Sequence, residues 1–300
     1  MDHQKLDILK EALPYIQKFK GKTFVIKMSG KVAANGPVLA SLAEEITLLQ
    51  QVGFYPVLIH GGGPQVNELA ERLGVEQTIV NGRRVTDEKT LEIAKMVFAG
   101  KINTDVTSAL RGIGARVVGL SGMDGKMISA KRRDPKKLVC EDSQQEIEVD
   151  FGFVGDVVDV DISLIRLLLD QGYVPVISSL AADEDGVVYN INADTIAGEI
   201  AMGLQAEKMI YLTDVNGIYM NMDDPDSRID FLTADGAQQL IEDGVVNKGM
   251  IPKITSILQL LSGGVHSAHV VGALEENALL KEIFTNRGTG TMITSGESER

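Results

Sequence analysis

The stretch YPVLIHGGGPQVNELAERL, residues 55–73, decides the fold. Tyr55 to His60 is apolar almost throughout instead of alternating, as expected of a strand in a parallel sheet covered on both faces. Three glycines end it, and Pro64 opens a helix-period segment at a position where proline is well tolerated. Glycines there let the backbone come close to a ligand, and the helix start offers free N–H groups and a positive dipole end to an anion. A tight turn alone needs only one glycine. The run is neither G-x-G-x-x-G nor G-x-x-x-x-G-K-[ST], so the dinucleotide fingerprint and the P-loop are both absent.

The same strand-and-helix rhythm extends in both directions. Runs 23–29, 55–60, 115–121, 173–178, 208–213 and 267–272 read as strands. Segments 38–52, 64–73, 88–111, 161–171, 193–204, 234–242, 252–262 and 275–284 carry helical periodicity. Their alternation predicts an α/β fold with a largely parallel sheet. Residues 122–160 break the rhythm and read as short strands and hairpins, a β-flap, while 219–230 reads as a surface loop. Ahead of the first strand, Leu6, Leu9, Leu13 and Ile16 form an apolar stripe on a helix over 3–19, which packs on its own domain or on another subunit.

Composition narrows the function. The 300 residues carry 29 Lys and Arg against 42 Asp and Glu, a net charge of −13, so nucleic acid and anionic membranes are poor partners. The apolar fraction of 44% is that of a globular chain. No stretch approaches the ~18 apolar residues of a membrane span, and the N-terminus lacks a signal-peptide core. The single Cys140, in a charged stretch without a nearby His, forms no intrachain disulfide and no cysteine zinc cluster. A reducing cytoplasm is the simplest setting.

Several side chains stand out. Lys27 lies at the end of the first strand, just before the Ser29-Gly30 turn, and faces the same crevice as the glycine run if ligands gather at the carboxyl ends of strands. A solvated strand-end lysine is the plain alternative. Asn190, Asn192 and Asp194 alternate into a helix start, where Asp194 is either an N-cap or one of three polar groups on one face. Lys253 occupies a first helical turn, against the dipole preference. Thr213 and Asp214 end a strand in a loop suited to a nucleotide. Arg84, or its neighbour Arg83, has the fork that holds a carboxylate. His60, His266 and His269 lack metal-site spacing.

In order, KMSG, HGGGP, NGRRVTD, DFGFVGDV, NINAD, LTDVNGIY and GMIPK resemble the amino-acid kinase superfamily, most closely its acetylglutamate kinase branch, over residues 3 to 293. The resemblance implies a three-layer αβα sandwich. It divides the chain into an assembly helix (1–20), an acceptor-binding and dimerising N-lobe (21–179) and a nucleotide- and effector-binding C-lobe (180–300). It implies transfer of the γ-phosphoryl group of ATP, bound with Mg²⁺, to the side-chain carboxylate of N-acetyl-L-glutamate in arginine biosynthesis. No metal is expected on the protein itself. Lys27 and Lys253 match the lysines that stabilise the transferring group, and Asp194 matches the residue holding both. Gly62, Gly63, Arg84, Asn190 and Asn192 match acceptor contacts; Gly30, Thr213, Asp214, Lys248 and Gly249 match nucleotide contacts. The N-terminal helix, with Tyr15, His266, Glu282 and Gly288, resembles members inhibited by L-arginine and assembled as a trimer of dimers; members without it resemble simple dimers. Two departures occur: Ser29-Gly30 replaces the usual pair of glycines, as in uridylate kinases, and Lys31 follows. A kinase for an aminoadipate derivative and a non-catalytic amino-acid sensor are the alternatives.

Overall fold

Alternate residues of the first strand feed two separate cores, and that alternation organises the molecule. The computed structural model describes residues 2–139, 146–221, 224–245 and 250–296. Its main sheet contains β1 (Thr23–Met28), β2 (Tyr55–His60), β3 (Val117–Ser121), β4 (Val174–Ser178), β5 (Lys208–Thr213), β6 (Phe231–Thr233), β7 (Ser267–Gly272) and β8 (Thr291–Thr294), in the order β6-β8-β7-β5-β1-β2-β4-β3. The six strands expected from sequence run parallel. β6 and β8 complete one edge, β8 antiparallel to β7, and the sequence does not announce them. At three and four residues they are too short for an apolar run to stand out from a loop.

Phe24, Ile26 and Met28 of β1 point to one face, where α3 (Gly36–Gln51), α6 (Asn103–Gly112) and α11 (Ala278–Phe284) bury Leu42, Ile46, Leu49, Val106, Leu110, Leu279 and Ile283. Val25 points to the other, beneath α7 (Ser163–Asp170), α8 (Ala193–Leu204) and α10 (Ile251–Ser262), with Ile165, Ile196, Ile200, Ile254 and Ile257. Helices thus cover both faces, as near-continuous apolar strands require. The expected helix 88–111 is helical throughout, but a π-helical segment, Met96–Ile102, separates α5 (Glu88–Lys95) from α6.

The irregular region 122–160 supplies strands, as anticipated. Ile128–Arg132 and Gly155–Val160 join Leu180–Ala182 and Val188–Asn190 in a four-stranded sheet, and Lys136–Val139 pairs with Glu146–Val149 as a flap hairpin. The 219–230 loop is partly structured, since Ile218–Tyr219 pairs with Arg228–Ile229. Cys140, Lys248 and Gly249 lie outside the described residues. Among the described residues no helix is long and apolar enough to cross a membrane.

Among the described residues, aromatic side chains anchor the C-terminal end of the N-terminal helix α1 (Asp2–Phe19). Phe19, 5% exposed, meets the Phe24 and Phe54 rings edge-on at 5.4 and 6.0 Å, and Tyr15 packs on Phe284. Leu13 is 49% exposed. Ile16 is half-buried, and the side chains of Leu6 and Leu9 lie outside those described.

One polar knot fixes the end of β2. Asn103, at the start of α6, donates through Nδ2 to His60 Nε2 (3.2 Å), the Leu120 carbonyl (3.2 Å) and the Val176 carbonyl (2.9 Å). His60 Nε2 therefore accepts, and Nδ1 carries the proton toward the Gly61 carbonyl at 3.2 Å. Burial pushes the His60 pKa down to about 4. The unfolded chain then binds a proton that the folded chain excludes between about pH 6.5 and 4, so stability falls as pH drops through that window. Denaturant unfolding at pH 7 and pH 5 is expected to show this group costing about 2 kcal/mol on acidification; a His60→Gln variant should lose that part of the slope.

Candidate functional site

The site is built on two glycine turns that press together. Lys27 is the fifth residue of β1, and Ser29 caps α2 (Gly30–Ala34) by accepting from the Val32 N–H. Across the crevice, β2 runs into Gly61-Gly62 and then α4 (Gly63–Arg72). A Cβ on Gly30 would lie 2.9 Å from Pro64 Cδ and 3.1 Å from Gly62 Cα, and Gln65 Nε2 donates to the Gly30 carbonyl at 2.6 Å. A Cβ on Gly62 would fall 2.2 Å from Ile102 Cδ1 and 2.9 Å from the Phe98 ring. Sterics therefore exclude side chains at both positions, and the α4 N-terminus is left open to an anion.

Lys27 faces the same side of the sheet as Val25, and its Nζ lies 2.7 Å from Asp194 Oδ1, an ion pair rather than a directed hydrogen bond. The solvated-lysine alternative therefore does not hold; this side chain is only 14% exposed. Asp194 is not the N-cap of α8. Asn192 is, accepting from the Asp194 and Thr195 N–H groups at 2.7 and 3.2 Å. This frees the Asp194 carboxylate for Lys27. Lys253, third residue of α10, stands 5.4 Å above the Tyr211 ring. Burial pulls its ammonium below the usual lysine range, while Asp194 pulls the other way. Asp194 is thus in direct contact with one lysine and acts on the other only through space, a looser arrangement than the resemblance implied.

Asp194 and Lys253 line one cavity of 640 Å³ together with Gly62, Gly63, Arg84, Asn190 and Asn192, and Lys27 reaches it through its pairing with Asp194. The structure separates the two arginines. Arg84 is half-buried, donating to Gln77 Oε1 and, at 2.9 Å, to the Gly63 carbonyl, so the clamp rests on the glycine turn. Arg83 is exposed at the rim. Asn190 Nδ2 donates to Thr86 Oγ1 at 3.2 Å, and Thr86 is fully buried. Sequence reading missed Phe98, Arg133 and Lys136, which complete the wall. Arg133, held by Asp156, and Lys136 belong to the basic run KRRDPKK, a signal visible in the sequence but without a face until the flap places it.

Gly30, Thr213 and Asp214 do not line this cavity. Ser29 N–H donates to the Leu212 carbonyl, joining the β1 turn to the end of β5. Lys31, the unexpected lysine, pairs with Asp214 Oδ2 at 2.6 Å and holds that carboxylate below its usual range. Its side chain is 68% exposed, so the pair adds little stability.

A second cavity, of 360 Å³, gathers Tyr15, His266, Glu282 and Gly288 with Lys18, Phe19, Lys208 and His269. Here His269, not His266, is the partner of Glu282, at 2.6 Å from Nδ1 to Oε1; His266 is exposed at the rim. The other Glu282 oxygen accepts from the Thr289 and Gly290 N–H groups at 2.7 and 2.9 Å. Although burial opposes it, the His269 bond and these N–H groups bring Glu282 down to about 2. Lys208, 7% exposed, reaches His269 Nε2 at 3.0 Å. Gly288 has φ +66°, and a Cβ there would meet Glu282 Oε2 at 2.4 Å.

The model of the amino acid kinase family matches residues 22–272. An acetylglutamate kinase of Methanocaldococcus jannaschii is 47% identical over 291 residues, 97% of this chain and 96% of that one. Another, of Heliobacterium modesticaldum, is 44% identical over 97% of this chain and 98% of its own length. Among solved structures, an N-acetylglutamate synthase of Neisseria gonorrhoeae complexed with coenzyme A and L-arginine superposes with a TM-score of 0.81 at 29% identity, over 97% of this chain and 65% of that longer one. With the paired glycine turns and the lysine–aspartate group in place, the chain belongs to the amino acid kinase family, within its acetylglutamate kinase branch.

Proposed function

We propose that the chain transfers the γ-phosphoryl group of ATP to the side-chain carboxylate of N-acetyl-L-glutamate, a step of arginine biosynthesis. The observation that carries this reading is the Lys27–Asp194 pair and Lys253 facing Arg84 and the glycine turn across one cavity. The acceptor carboxylate, with a pKa near ~4.3, is already ionised at neutral pH, so no general base is required. The protein's work is positioning and charge neutralisation. Arg84 holds the α-carboxylate by its fork, with Asn190 and Asn192 beside it. Gly62 and Gly63 bring backbone N–H groups to the reacting oxygens. Lys27, steadied by Asp194, and Lys253 offset the charge that spreads over the transferring group. All three of these charged groups are present, which disfavours a non-catalytic sensor. Gly30, Thr213 and Asp214, with Lys248 and Gly249, hold the nucleotide.

The cation of the reaction arrives on the nucleotide's phosphates in this reading. Mg²⁺ there supplies charge neutralisation and alignment of the phosphates. The reaction is placed in the cytoplasm, the reducing setting that a single cysteine fits.

The second cavity serves L-arginine as an inhibitor in this reading. It offers a buried carboxylate, Glu282, and a buried ammonium, Lys208, the two charges that a zwitterion with a cationic side chain requires. Tyr15 and Phe19 of α1 wall the same cavity, so an effector there touches both the helix and the C-lobe. The half-exposed Leu13 on α1 fits a homo-oligomer, a trimer of dimers built through this helix, with the dimer as the alternative.

Three outcomes are expected. Lys27→Ala and Lys253→Ala each lower kcat by ~10²–10³ while changing the acceptor KM little; steady-state assays with ATP and N-acetyl-L-glutamate check this, and near-normal kcat in either removes its role. Arg84→Lys raises the acceptor KM about tenfold, because an ammonium cannot reproduce the fork, whereas Arg83→Lys is nearly silent. Deleting residues 1–18, which keeps Phe19 in its aromatic cluster, yields an active dimer about fivefold or more less sensitive to arginine. A truncated protein that stays hexameric and equally inhibited contradicts the regulatory reading.

A further inference from the structure

Tyr211 sits in the middle of the phosphoryl-transfer site, and nothing in the mechanism above uses it. It pairs in register with Lys27 across the parallel β1–β5 ladder, so both side chains leave the sheet on the same face. Ile196 of α8 and Ile254 of α10 belong to the core on that face, and Asp194 and Lys253 of the same two helices line the cavity. Tyr211 is 1% exposed and lines the 640 Å³ cavity. Its hydroxyl is buried without a hydrogen-bond partner. A buried phenol is normally bonded, because leaving its O–H unpaired forfeits the water it gave up. Asp194 is close enough to act on the phenol, and the Lys253 ammonium stands 5.4 Å above the ring. Neither satisfies the O–H in the ligand-free protein.

We propose that Tyr211 is a further catalytic residue, whose hydroxyl donates a hydrogen bond to an oxygen of the transferring phosphoryl group. This rests on the assignment of Lys27 and Lys253 to that group. Burial and the Asp194 charge push the phenol above its usual range, so it keeps its proton at neutral pH and acts only as a donor to anionic oxygen. The ring has a second effect: its face attracts the Lys253 ammonium and fixes where that charge stands. The Lys253 ammonium and the phenol beneath it then meet one phosphoryl oxygen set, the lysine as a charge and the phenol as a rigid donor. Because the hydroxyl is already dry and fixed by the strand, it aligns without reorganising when the reaction occurs.

Tyr211→Phe isolates the hydroxyl, since the ring and its contact with Lys253 remain. A hydrogen bond to a charged oxygen predicts a fall in kcat of about tenfold to a hundredfold, with the acceptor KM changed by less than about twofold. The ligand-free unfolding midpoint should be unchanged or higher, because an unpaired buried polar group is removed. Wild-type kcat in this variant overturns the proposal. So does a loss of kcat accompanied by a lower ligand-free midpoint, which would mean that the hydroxyl is bonded inside the fold. Lys27→Ala run alongside separates the two levels. If it is inactive while Tyr211→Phe is normal, only the tyrosine assignment fails; if it is fully active, the site reading itself fails.

Discussion

The approach of Gly30 to Gly62 sets the terms for everything else in this molecule. Two neighbouring parallel strands end side by side, and their turns touch at a distance where no Cβ fits. That contact brings the end of β1, and with it Lys27, beside the open start of α4. Further positive charge from Lys253, Arg84 and Lys136 lines the cavity below it. A chain with a net charge of −13 thereby concentrates cations where a polyanionic ligand must enter. The surrounding negative surface leaves that opening as the favourable place for phosphate.

The two cavities are opposite in electrostatic design. The larger one keeps charges apart and partly unsatisfied: Lys253 has the ring of Tyr211 beneath it, and Asp194 meets only one lysine directly. The smaller one is closed on itself, each Glu282 oxygen already engaged by His269 or by backbone N–H groups. A ligand entering the first completes interactions, whereas one entering the second must share or exchange them. The first suits a site that gains its full set of contacts as charge develops, and the second a site whose occupation is felt along the elements that own the displaced bonds.

Much of this was legible in the sequence. The six parallel strands showed as unbroken apolar runs because both faces of the sheet are covered, and the glycine turns showed because sterics forbid anything else. Lys27, Arg84 and Lys253 were legible as residue types at strand ends and helix starts. The concealed part depends on contacts between distant segments. His269 outranks His266 because it points inward from β7 onto Glu282, and a three-residue spacing does not reveal which of two histidines faces the core. Asn192 takes the cap from Asp194 by two residues, a distance within the uncertainty of any helix boundary. Tyr211 passed as one apolar strand residue among several, since only the register with Lys27 discloses its neighbours.

The π-helical segment Met96–Ile102 sets the rotational phase of α6. A π turn holds about one residue more than an α turn, and Phe98 and Ile102, four residues apart, share a side within it. Both therefore close on Gly62. Removing one residue from this segment would restore regular α-helix and turn everything beyond it by roughly 100° about the axis. Asn103 would then swing away from His60 and from the carbonyls of β3 and β4 that it bridges, and Ile102 would leave the glycine turn. The extra residue works as a gear tooth, meshing a helix that belongs to the apolar core with a loop that belongs to the chemistry.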